Sequence, residues 1–204
     1  MSPLRSEEKR ALLDIARKAI SILLTERRAL RVSSPAGNLA IPAGAFVTLH
    51  RRGRLRGCIG RIEAVEPLAD VVAHCAAAAA EEDPRFFPLQ ADELAELEIE
   101  ISVLSLLEAA KPASVEPGRH GLVVSKGLRR GVLLPQVAVQ YNWTRERFLE
   151  ETCRKGGLEA DAWTHPGTRI EVFTAEVFSE TEVRASEGAR ADQESERSDY
   201  SSSQ

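Results

Sequence analysis

Aromatic residues are scarce in this chain, 5% of 204 positions, and none interleaves with its densest basic run. Single-stranded nucleic-acid binding uses aromatic platforms beside cations, so that class of partner is disfavoured. Cysteine is also sparse. Cys58, Cys75 and Cys153 are odd in number and far apart, which argues against a disulfide framework and against paired-cysteine zinc spacing. No two histidines stand four apart, and no three cysteines cluster as a radical SAM iron–sulfur site needs. No apolar run approaches a membrane span: the longest, Val71 to Ala80, is mostly alanine and is broken by His74. The first ten residues are charged and lack the apolar stretch of a secretory signal. A soluble, cytoplasmic chain with no membrane partner is therefore expected.

Other signatures are missing too. There is no phosphate-binding glycine loop with lysine, no dinucleotide fingerprint, no nucleophile elbow and no internal repeat. No cofactor and no metal is expected. The net charge of −4 and pI of about 5.7 oppose wholesale nucleic-acid binding, while leaving room for a local basic patch.

What is present is an ordinary globular balance, 43% hydrophobic and 28% charged, enough for one domain or two small subdomains sharing a core. One run stands out: Leu55-Arg56-Gly57-Cys58-Ile59-Gly60, with Arg51, Arg52, Arg54 and Arg61 around it. Cationic neighbours favour thiolate over thiol, and glycines let a ligand approach the main chain. Arginine outnumbers lysine 22 to 5 across the chain, so the cluster carries less weight than its density suggests.

Periodicity outlines the elements. Leu12, Ile15, Ala16, Ala19, Ile20 and Leu23 predict a helix over about 7–24. Strands over 46–52 and 55–60 join near Arg52-Gly53-Arg54, with Cys58 late in the second. Pro67 opens a helix over about 67–82 whose buried stripe includes Leu68, Val71, Val72, Cys75 and Ala79. Leu97, Ile99, Ile101 and Val103 alternate with Glu98, Glu100 and Ser102, as in a half-buried strand. Short strands over 122–124 and 131–134 follow, then a helical start at Pro135. Next comes a helix capped by Thr144 and stopped by Gly156-Gly157, with Cys153 on its buried face, and a last strand from Arg169 to Phe178. Residues 7–183 read as the folded domain. Residues 184–204 are serine-rich and acidic, with too little apolar surface to offset ordering, and are expected to be disordered.

The hexapeptide resembles the signature of the AMMECR domain family, named for a gene in a human contiguous deletion syndrome. In prokaryotes this is protein A of the AmmeMemoRadiSam system. Further stretches resemble the family in order: Asp83-Pro84-Arg85-Phe86, the alternating strand Leu97–Leu104, Gly118-Arg119-His120-Gly121, Leu134-Pro135-Gln136-Val137, Trp143, Phe148-Leu149-Glu150, Lys155-Gly156-Gly157-Leu158 and Trp163. The match spans about residues 8–180. Gly156 stands where the family commonly has alanine. The resemblance implies an α+β fold, mainly antiparallel sheet flanked by helices, in two subdomains with a cleft between them. It also implies Memo-type and radical SAM proteins as partners. It implies no settled activity.

Candidate site residues follow. Cys58 is either a nucleophile or a small residue filling a crowded strand end. His120, in its glycine-flanked turn, is either the base for that thiol or a histidine tying the turn to a neighbouring carbonyl. Glu100 shares a strand face with Glu98 and either orients a base or is a solvated face charge. Arg54 and Arg56, with Gly57 and Gly60 as backbone donors, form the substrate-binding set for a small anionic ligand. Arg85 and Gln136 complete it. Arg85 has the alternative of a structural pair with Asp83. Arg52, Arg54 and Arg56 share one strand face only if no bulge intervenes. The chain is thus either an enzyme or enzyme subunit, or a non-catalytic partner-binding or scaffold module in which Cys58 and its glycines are structural.

Overall fold

The computed structural model describes residues 2–186 and divides into two compact units, one of residues up to 103 together with those from 177, the other of residues 104–176. The expected acidic tail lies almost wholly outside the described residues.

The first unit begins with helix α1 (Ser6–Glu26), slightly longer than its apolar period predicts. Its start is fixed by Glu8, whose carboxylate accepts the Arg5 N–H at 2.9 Å and the Asn38 side-chain N–H at 3.1 Å. Those bonds, the one from Arg5 first, hold the Glu8 carboxyl at about 2. Strands β1 (Ala45–Arg51) and β2 (Arg54–Arg61) form a hairpin. Its two turn residues, Arg52 and Gly53, both have positive φ (51° and 71°), the type I′ geometry that matches strand twist. Helix α2 (Leu68–Glu81) follows, then strand β3 (Leu97–Leu104).

The sheet order is β2-β1-β3 with a last strand, β8 (Ala175–Ser179), at the far edge. Alternation sorts its faces: Ala45, Val47, Leu49, Ile99 and Ile101 are wholly buried in one core with Leu12, Ile20, Leu68, Val71 and Val72. Each Val, Leu or Ile among them withdrawn from water contributes about 1.5–3 kcal/mol. The edge is clamped by Arg17 of α1. It meets both oxygens of buried Glu180 at 2.6 Å and the carbonyls of Leu94 and Leu97, while Glu180 also accepts the Ile99 N–H.

The second unit is a four-stranded antiparallel sheet of order β4-β7-β5-β6: β4 (Glu108–Ala109), β5 (Gly121–Lys126), β6 (Arg129–Leu133) and β7 (Arg169–Phe173). Helices α3 (Pro135–Gln140) and α4 (Arg145–Lys155) join it around Leu122, Val124, Phe148, Leu149 and Cys153. Thr144 caps α4 by accepting the Arg147 N–H. Gly131 of β6 sits so close to α4 that a Cβ there would lie 1.9 Å from the Thr152 carbonyl oxygen.

The architecture is α+β with two antiparallel sheets flanked by helices, as expected. One element differs. The stretch 169–178 is not a single strand but β7 and β8, which belong to different sheets. The break is pinned at Thr174, whose N–H donates to the Ser105 hydroxyl while its carbonyl accepts the Ser105 N–H. Apolar alternation runs through this point and gives no sign of it.

Candidate functional site

The helix-covered face of the first sheet takes the aliphatic residues, so its other face carries Phe46, Thr48 and His50 of β1. Thr48 stands in register with Cys58 on one side and Glu100 on the other. His50 stands beside Glu98, and Phe46 beside Gly60 and Ser102. Cys58, Thr48 and Glu100 therefore form one row across three strands, and Glu100 shares the face with Cys58.

The Thr48 hydroxyl donates to the Cys58 sulfur at 3.3 Å. Burial nonetheless pushes the Cys58 thiol up, opposed by that hydrogen bond and by Arg85, and reinforced by Asp83 and Glu100. Burial raises the Glu100 carboxyl as well, with His50 pulling the other way. Cys75 and Cys153 are fully buried, and burial raises both thiols, Cys75 to about 11. Cys58 is partly exposed.

The hexapeptide is tied down group by group. The Cys58 N–H donates to Asp83 Oδ2 at 2.8 Å, and Arg85 grips the same carboxylate with Nε and Nη2 at 2.9 and 2.6 Å. Arg85 first, then the backbone bonds, hold the Asp83 carboxyl at about 2. A Cβ on Gly57 would come within 2.1 Å of the Ala79 carbonyl oxygen, so only glycine lets β2 lie on α2. Gly60 lies under the Phe46 ring opposite it, a cross-strand arrangement in which an aromatic ring shields a glycine.

The arginines are mostly spent within the fold. Arg56 makes a two-pronged pair with Glu93 at 2.9 and 2.8 Å and donates to the Phe87 carbonyl at 3.1 Å. Arg51 bonds Glu93 and Glu96, and Arg52 bonds Glu96. Glu93 and Glu96 are each held at about 2, chiefly by Arg56 and Arg51 respectively. Arg61 pairs with Glu66 and touches His74. Arg54 is exposed and stands outside this network. Pairing runs Leu49 to Gly57 and then His50 to Leu55, so Arg56 is bulged out of the ladder. The bulge breaks the alternation that would put Arg52, Arg54 and Arg56 on one face.

His120 and Gln136 belong to the second unit, apart from the unit of Cys58, Glu100, Arg54, Arg56, Gly57, Gly60 and Arg85. His120 Nδ1 accepts the Glu116 N–H at 3.1 Å and the His120 N–H returns to the Glu116 carbonyl, so this imidazole closes its own turn. Gln136 is the second residue of α3 and half-buried. Among the described residues no group of three His, Cys, Asp or Glu could hold a metal ion, and no helix is long and apolar enough to cross a membrane. Sequence reading missed Thr48 and Glu93. Strand register over 45–51 points to Thr48; Glu93 carries no local signal, because its partners lie about forty residues upstream.

A family model described as AMMECR1 matches residues 13–178. A protein of Methanothermobacter thermautotrophicus is 42% identical over 187 residues, covering 88% of this chain and 97% of its own length. One of Saccharolobus islandicus is 44% identical over 191 residues, covering 87% and 84%. The crystal structure of an uncharacterised protein from Pyrococcus horikoshii superposes with a TM-score of 0.79 at 38% identity, covering 85% of this chain and 91% of that one.

Proposed function

The chain belongs to the AMMECR1 family, and from that premise we propose that it acts as a partner-binding subunit rather than a thiol catalyst. One observation supports this reading above the rest. The hexapeptide's polar groups are consumed in building the surface: Arg56 by Glu93, the Cys58 N–H by Asp83, the bare backbone of Gly57 by α2. Among the hairpin arginines only Arg54 stands outside these pairs, a thin cationic supply for holding a small anionic substrate or activating a thiol that burial pushes up. The partners in this reading are Memo-type and radical SAM proteins of the same cell. Sedimentation of the full chain with each of those two proteins from the same genome tests it. A defined complex that survives Cys58→Ala is the expected result. No complex with either protein overturns the reading, as does loss of the complex in a folded Cys58→Ala chain.

A second reading, an enzyme or enzyme subunit, draws on the Thr48–Cys58 contact. Cys58 is partly exposed, unlike Cys75 and Cys153, and a hydroxyl donated to its sulfur favours the thiolate. In that reading the Cys58 thiol is the group that reacts with a small anionic substrate, and Glu100, on the same face of the sheet, takes up its proton. Fast alkylation of Cys58 well below pH 8 supports it; inertness there removes it.

A further inference from the structure

Phe87 lies nearly bare on the surface, 91% exposed, yet the loop that carries it is firmly held. On one side Asp83 is buried, pairs with Arg85 and takes the Cys58 N–H, and its carbonyl accepts the Phe86 N–H. On the other side Leu89 is buried and its N–H donates to the Ala80 carbonyl at 2.8 Å. Between them Arg56 donates to the carbonyl of Phe87 itself. The Arg56 and Arg85 guanidinium groups both lie over the neighbouring Phe86 ring, at 6.0 and 5.5 Å. A large aromatic held out on a braced loop has already met most of the ordering cost of binding, and aromatic and arginine side chains dominate interface hot spots.

We infer that the loop over residues 84–88 is the anchor of a protein-docking face. Phe87 enters an apolar pocket on the partner, and a carboxylate beside that pocket meets Arg85. Arg85 spends Nε and Nη2 on Asp83, and the Nη1 edge of its half-exposed side chain stands outside that pair, with no second acid paired to it among the described residues. A polyanion is the poorer fit. Nucleic-acid binding needs several uncommitted cations, and most arginines of this hairpin already carry Glu93 or Glu96. The inference rests on the partner-binding reading above and says which surface does the binding.

The test is titration calorimetry of the full chain against the Memo-type and radical SAM proteins of the same genome, at low and moderate salt. Phe87→Ser should weaken the affinity about 30-fold or more. Phe87→Trp should largely retain it, and the wild-type affinity should fall as salt rises. Leu128, fully exposed in the second unit, supplies the control: Leu128→Ser should bind like wild type. Matched melting curves show that each variant is folded. If the wild type binds but Phe87→Ser binds equally well, or Leu128→Ser weakens binding as much, this inference fails and the partner-binding reading stands. If the wild type binds neither protein, both fall. If Phe87→Ser abolishes only self-association of the chain, the occupant is a second copy and the inference is overturned.

Discussion

The main-chain N–H of Cys58 donates to the carboxylate of Asp83, 25 residues away, at 2.8 Å. Hexapeptide and loop are thus one construction, in which a strand residue is secured through its backbone and its side chain is left to Thr48.

Asp83 should therefore give the fold a pH dependence. Its folded pKa of about 2 lies below its ordinary 3.8. The charged form is the one favoured on folding, so the contribution is complete above about pH 4 and fades as pH falls towards 2. Asp83→Asn should lower stability on the order of 2 kcal/mol at pH 7 and flatten its decline between pH 4 and 2. Urea titrations at pH 7, 4 and 2.5 read both effects.

Gly57 and Gly53 should respond very differently to alanine. At Gly57 the added carbon meets the Ala79 carbonyl oxygen, which α2 cannot withdraw without leaving the sheet. Gly57→Ala should cost about 3 kcal/mol or more. At Gly53 the space is open and only the φ of 71° is strained. Gly53→Ala should cost about 1 kcal/mol. Denaturant midpoints of the two variants separate backbone collision from backbone strain.

Arg17 and Glu180 should behave as a coupled pair. Arg17→Met leaves the Glu180 carboxylate buried without its guanidinium and should cost about 3–5 kcal/mol. Adding Glu180→Gln should return part of that loss, because the stranded charge is gone. A double-mutant cycle by chemical denaturation measures the coupling.

Cys58 should alkylate slowly at neutral pH and speed up only at alkaline pH, since burial holds the thiol neutral. Mass spectrometry against pH, with Cys75 and Cys153 as protected controls, follows the rate. Thr48→Val should slow the reaction further by removing the hydroxyl that favours thiolate.

Much of the fold was legible because periodicity reports local burial. The α1 stripe, the 97–104 alternation, the Arg52–Gly53 turn and the Thr144 cap are each written within a few residues. The sheet change at Thr174 was not legible, because β7 and β8 are both apolar and the pin is a serine 69 residues upstream. The site divided in the same way. The crowding of glycine and arginine around Cys58 was visible, and so was Glu100 on the polar face of β3. That its arginines are neutralised was not, since Glu93 and Glu96 are brought to them by the packing of a short helical segment over residues 91–96.

The change of sheet at Thr174 also orders events in time. The first unit is interrupted in sequence by residues 104–176 and resumes at 177. During synthesis α1, α2 and three strands emerge early, but β3 keeps an open edge and Arg17 lacks its carboxylate until the whole second unit has been translated. A ribosome paused before residue 177 therefore holds a sheet with an unpaired margin, the hazard that open strand edges bring. The second unit, continuous in the chain, has all its strands by then.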